Sequence, residues 1–247
     1  MSQSQDQRQS VMSHLAALRK ILVICAGSIA AAFFLIFTLV IDPLMGMILQ
    51  PITARGIEVI YTAMSEALTT KMKVALIAAV VATSPIVFWQ IWNFVKPALY
   101  THEKKAVRSL FFVTVFLFLL GVAFCYGAVY MLAVDFFIVS GENLAVPMLS
   151  IDKYVSFLFG FVVPFGLAFE LPVALYVTTR MGVTNYQMLA GKRKFVILAV
   201  AVIAAILTPP DVVSQIMLGI PILILFEVAL QICKHVKPRE KTEETEE

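Results

Sequence analysis

Charge is scarce in this sequence. Asp, Glu, Lys and Arg make up 14% of the 247 residues, against about 25% in an ordinary soluble domain. Hydrophobic residues reach 60% and mean hydropathy is +0.90, so too little polar surface remains to coat a water-soluble core. A soluble enzyme and a DNA-binding module with a basic face are both excluded. Cysteine is scarcer still: Cys25, Cys125 and Cys233 lie in or at the end of apolar runs with no ligand spacing. Neither a disulfide framework nor a thiolate metal site is expected, and the thiols should be buried among helices or lipid. His14, His102 and His235 are far apart, so no metal site and no cofactor are expected. A phosphate-binding G-x-x-x-x-G-K-[ST] loop is missing, which argues against ATP hydrolysis by this chain. No internal repeat supports an inverted-repeat transporter. No nucleophile–base pair stands at membrane depth, so an enzyme is not expected.

Long apolar runs are what the sequence has. We expect an all-α integral membrane protein of six spans, at about 21–41, 72–93, 109–138, 154–179, 195–208 and 212–233, in one membrane domain over 1–234 with a disordered tail at 235–247. About 20 apolar residues suffice for each crossing. The first run exceeds the core of a signal peptide, so it reads as an uncleaved span. Val11 to Lys20 before it reads as a short amphipathic helix, and Asp42-Pro43 should end the first span. A loop should follow to about Thr70, and another should cover Ser140 to Lys153. Pro85 should kink the second span. The fifth run, Phe195 to Leu207, is short, and with the sixth it should form a hairpin of two short spans around Thr208-Pro209-Pro210-Asp211.

Lysine and arginine give the orientation. Fifteen of the 19 basic residues fall in the N-terminus, the second-to-third and fourth-to-fifth links and the tail; Arg55, Lys71, Lys73 and Lys153 fall on the other side. The bias predicts both termini in the cytoplasm. Acids inside the spans then stand out. Glu170 lies about 15 Å of helix from Arg180, near the membrane middle. A carboxylate there costs about 3 kcal/mol on insertion scales, so it either bonds to a neighbouring helix or lines a polar path. Pro164 and Pro172 flank it and should bend the helix. Glu227 could snorkel to the interface or pair with Lys234. Asp211 is placed to cap the sixth helix, with Gln215 one turn later on the same face. Glu103, between His102 and Lys104-Lys105, reads by electrostatics as a solvated charge cluster.

Four stretches together resemble one family. His14-Leu15-Ala16-Ala17-Leu18-Arg19 resembles the N-terminal motif of the TatC family, the multispan core of the twin-arginine protein translocase. Trp92-Asn93-Phe94-Val95-Lys96-Pro97-Ala98-Leu99-Tyr100-Thr101-His102-Glu103-Lys104-Lys105 resembles its first cytoplasmic loop. Phe169-Glu170-Leu171-Pro172-Val173 resembles its fourth-span motif, and Leu207 to Gln215 its last hairpin. The order is right and the likeness runs from about Ser13 to Lys234.

The resemblance implies a receptor for folded precursors whose signal peptides carry two adjacent arginines, in a multi-copy complex of the plasma membrane driven by the proton-motive force. It makes Glu103, Phe94, Arg19 and Leu15 signal-peptide-binding residues. It turns Glu170, Thr208, Asp211 and Gln215 toward small single-span partner subunits of the TatA and TatB type and matches Pro51 to a family proline; with Pro85 and Pro172, read above from their spans, Pro51 is given a structural role. A carboxylate takes a guanidinium bidentately, which suits an Arg-Arg signal over Lys-Lys. One position departs: the family usually reads His-Leu-x-Glu-Leu-Arg, and here the acid is Ala17. The alternative is a secondary transporter or channel using Glu170 as its ion or proton site; it predicts solute flux from the purified protein, which the translocase reading does not.

Overall fold

The computed structural model describes residues 2–99, 104–141, 148–208 and 211–236. They are almost entirely helical and group into two compact units, Met1–Phe111 with Met148–Val155, and Phe112–Pro147 with Ser156–Glu247. Within a bilayer a helix satisfies every backbone group internally, which is why the apolar runs fold this way.

In the first unit α1 (Ser2–Leu39) and α3 (Glu66–Leu99) pack side by side. Lys71, near the start of α3, pairs at 2.7 Å with Asp42, just past the end of α1, so the two helices run antiparallel. Asp42-Pro43 does not end the first helix as expected. That helix stops at Leu39, and the pair sits in the first turn of α2 (Ile41–Thr53), where the missing proline N–H has no intrahelical partner to lose. Helix α2 buries Ile41, Met45, Ile48 and Ile52, a spacing that puts them on one face. The expected loop to Thr70 is therefore largely ordered structure. Gly56, at φ 74°, takes the left-handed turn after α2, a conformation most residues avoid. Strand β1 (Glu58–Ile60) then pairs in parallel with β2 (Met148–Ser150), Glu58 opposite Met148 and Ile60 opposite Ser150. The segment expected as a second loop thus supplies a strand.

Glu66 ties this region together. Its Oε2 accepts from Thr62 N (2.5 Å), Thr62 Oγ1 (2.8 Å) and Ala63 N (3.2 Å). Its Oε1 accepts from Ser150 Oγ (2.5 Å) and Asp152 N (3.1 Å). Lys73 pairs with Asp152, and Tyr154 Oη donates to Ile48 O at 2.9 Å. Pro85 lies inside α3 without interrupting it. It cannot donate to Val81 O, but the Ser84 hydroxyl does, at 2.8 Å, so a side chain satisfies the carbonyl that the proline frees.

In the second unit a long rod is built from α4 (Lys104–Phe124), whose first residues belong to the first unit, a π-helical turn at Cys125–Tyr130, and α5 (Met131–Gly141). Helices α6 (Ile151–Ala168), whose residues up to Val155 belong to the first unit, and α7 (Leu171–Arg180) follow, then short α8 (Tyr186–Gly191), α9 (Arg193–Leu207) and α10 (Val212–His235). Phe161, Phe165 and Tyr130 are fully buried, and Phe157 meets Phe161 edge-on at 5.0 Å. Helix α10 packs against α7, α8 and α9. Cys125 and Cys233 are buried free thiols, as expected, whereas Cys25 is half-buried.

Among the described residues, five helical segments are long and apolar enough to cross a membrane: Ala16–Leu39, Glu66–Phe94, Arg108–Gly141, Ile151–Arg180 and Val212–His235. The expected fifth span, α9, has 15 residues, about 22 Å at 1.5 Å per residue, short of a hydrocarbon core of about 30 Å. Only α9 of the last pair is short; α10 runs 24 residues, correcting the expectation of two short spans. The expected tail lies outside the described residues from 237 onward.

Candidate functional site

Of the residues that the resemblance assigns to signal peptides, the described ones belong to the first unit. Leu15 and Arg19 lie on α1, with Arg19 exposed, as is Ala17. Phe94 is half-buried near the end of α3. Glu103 lies outside the described residues. Arg19 stands 20 residues before the end of α1, and Phe94 follows Lys71 by 23. At 1.5 Å per residue those are about 30 and 34 Å, so in the antiparallel pair Arg19 and Phe94 come to one level. Trp92 is buried there, and Trp89 meets Phe111 edge-on at 5.2 Å, fixing the end of α3 against the start of α4.

The polar residues of the second unit divide between two places. One is the break between α6 and α7. Pro172 falls in the first turn of α7, so Ala168 O loses its usual donor, and Phe169-Glu170 forms the turn between the helices. Glu170 N bonds to Leu167 O at 3.1 Å, one residue closer than a helical bond. Glu170 Oε1 is buried and has no hydrogen-bond partner among the described residues. The bend expected from the flanking prolines is therefore a helix break centred on Glu170.

The other place is the α9–α10 turn. Asp211, in extended conformation, caps α10 by accepting from Ser214 N at 2.7 Å, the expected role. Thr208 ends α9, buried, its hydroxyl donating to Ala204 O at 2.8 Å. Gln215 Nε2 crosses to Ala201 O at 2.9 Å and joins α10 to α9. Asp211 Oδ2 and Ser214 Oγ are buried without a hydrogen-bond partner among the described residues. Ser214 was not singled out by sequence; its position three residues after an N-cap was the available signal. Glu227, for which snorkelling or a pair with Lys234 was open, pairs instead with Arg193 at 2.9 Å, because the antiparallel hairpin brings the start of α9 alongside the second half of α10. Pro51 is buried inside α2.

Gly160 was also missed. A Cβ built there would lie 2.7 Å from Leu207 O. The backbone of α9 at its last turn therefore rests directly on α6, an approach only glycine permits. A lone glycine in an apolar run gives no sequence signal of this kind. Glu66 was passed over as a loop residue; its clue was a carboxylate placed to reach back to the N–H groups before a helix. Among the described residues no group of three His, Cys, Asp or Glu side chains is placed to hold a metal ion.

Residues 13–221 match the family described as Sec-independent protein translocase protein (TatC). The TatC protein of Carboxydothermus hydrogenoformans is 38% identical over 237 residues, 96% of this chain and 97% of its own length. That of Aquifex aeolicus is 39% identical over 187 residues, covering 75% of this chain and 78% of its own. A crystal structure of the twin-arginine translocase receptor TatC superposes with a TM-score of 0.83 at 36% identity, covering 90% of this chain and 98% of that one. A fold shared at that level and a match along nearly the whole length leave one conclusion: this membrane protein belongs to the TatC family of Sec-independent protein translocase proteins.

Proposed function

We propose that this chain is the receptor subunit of a twin-arginine translocation system, multi-pass in the bacterial plasma membrane with both termini in the cytoplasm. What carries the reading is likeness over the whole chain to TatC proteins, one of them solved as a receptor. The Lys and Arg bias supports the orientation. Glu103 takes the guanidinium groups of the signal, with Phe94, Leu15 and Arg19 around it. Glu170, Thr208, Asp211 and Gln215 receive single-span partner subunits, and the proton-motive force drives passage. In six spans, α9 crosses only where the bilayer thins to its length.

Photo-crosslinking of a twin-arginine precursor to this chain in membrane vesicles tests the reading. A charge-assisted hydrogen bond is worth roughly 1.5–3 kcal/mol, so Arg-Arg to Lys-Lys in the precursor, or Glu103→Ala here, should cut crosslinking about tenfold or more. Crosslinks that persist undiminished in both would overturn it. Ala17→Glu restores the acid that the family usually carries on this exposed helix position. It should tighten precursor binding several-fold, up to about tenfold for one added ionic contact. Unchanged affinity in a titration would remove Ala17 from the recognition surface.

A further inference from the structure

Helix α9 is 15 residues long and α10 is 24. Two polar rungs join them, Gln215 to Ala201 and Glu227 to Arg193. Beyond the second rung α10 continues for eight residues to His235, about 12 Å. The start of α9, with Lys192, Arg193 and Lys194, is thereby held below the end of α10. Along one face of α10 at that level runs a shallow, open groove of about 400 Å³, its lining residues Ile220, Leu223, Ile224, Glu227, Val228 and Gln231 all on α10. Its apolar part is followed at one end by the polar pair Glu227 and Gln231. From Ile220 to Glu227, the level at which Arg193 is held, the groove runs about 10 Å, a third of a hydrocarbon core of about 30 Å.

Charge at the head of the groove is one-sided. Lys192 and Lys194 are exposed beside Arg193. Thr179 Oγ1 bonds to Cys233 Sγ at 3.3 Å, which brings Arg180 at the end of α7 and Lys234 at the end of α10 to the same end of the unit. Glu227 is the sole acid lining the groove, and it is already matched by Arg193 through Nη2. Arg193 Nε is buried without a hydrogen-bond partner among the described residues. A guanidinium has five N–H donors, so Arg193 can hold Glu227 and still offer donors to a phosphate.

We propose that this groove is a binding site for an anionic phospholipid, its acyl chain along Ile220, Ile224 and Val228 and its phosphate on Arg193 with Lys192 and Lys194. Basic residues between helix ends above an apolar channel are the general chemistry of such sites. A zwitterionic lipid fits the groove equally well but gains less from the excess of cations.

Native mass spectrometry of the full purified chain tests this, with phosphatidylglycerol and phosphatidylcholine of identical chains supplied in equal amounts. The wild type should retain phosphatidylglycerol about tenfold over phosphatidylcholine, and Arg193→Gln should reduce that preference to near parity. Ile224→Trp, which fills the groove, should lower retention of both lipids. Glycerol phosphate without acyl chains should not displace the bound lipid. Equal retention of the two lipids by the wild type, an unchanged preference in Arg193→Gln, or full displacement by glycerol phosphate would each overturn the proposal. If Arg193→Gln does not accumulate, the double variant Lys192→Gln, Lys194→Gln, altered only at exposed side chains, carries the same comparison with the same expected loss.

Discussion

Gly160→Ala should destabilise the protein and displace the α9–α10 hairpin. Glycine inside a helix ordinarily costs about 0.5–1 kcal/mol relative to alanine, so the substitution would stabilise a helix with free space around it. At Gly160 the new methyl would stand 2.7 Å from the backbone oxygen of Leu207. A backbone atom has no rotamer to change, so α9 must move away from α6. Overpacking of this kind costs about 1–3 kcal/mol, which outweighs the propensity gain. Gly27 on α1 is the control: an added Cβ there meets nothing within 4 Å, and Gly27→Ala should raise the thermal midpoint in detergent. A Gly160→Ala variant as stable as Gly27→Ala would refute the packing argument. The movement reaches Thr208 and Asp211, so under the proposed function crosslinks from that turn to single-span partner subunits should fall while precursor crosslinking at the other unit persists.

Glu66→Ala should be the most disruptive change in the first unit. It removes the acceptor of five hydrogen bonds that join the β1–α3 turn to the β2–α6 turn. Buried donors left without an acceptor each pay their desolvation penalty, and a fall of roughly 5–10 °C in the unfolding midpoint is expected. Glu66→Gln keeps one acceptor oxygen and should fall between the two. The parallel β1–β2 pairing should loosen with it, which amide exchange at Val59 and Leu149 would register as faster exchange in Glu66→Ala than in wild type. Unchanged exchange would show that the strands hold without the carboxylate.

Much of this was legible in the sequence, and for a definite reason. Hydropathy and helix length act locally: a run such as Val212 to Cys233 must become a helix because no other structure satisfies its backbone in lipid. Asp211 as a cap, the break at Glu170 and the shortness of α9 likewise depend on neighbours within a few residues. Family likeness came from ordered motifs, and whole-chain similarity bears it out. Glu227 shows where this stops. Lys234 is seven residues away on the same helix, yet the partner is Arg193 on another, because the hairpin register sets which side chains face each other.

By itself the sequence determined that the chain is a helical membrane protein of the TatC family, with its few intramembrane acids as the points of interest. The tertiary structure decided what those residues and their neighbours touch. Glu66 became the clasp of two loops far apart in the chain, Gly160 the seat of α9, Ser84 the remedy for Pro85, and Arg193 the partner of Glu227. Composition and periodicity report which face of an element is apolar. They do not report how far one helix end overhangs another, or which backbone atom needs the space where a Cβ would be, because those are properties of helices packed together.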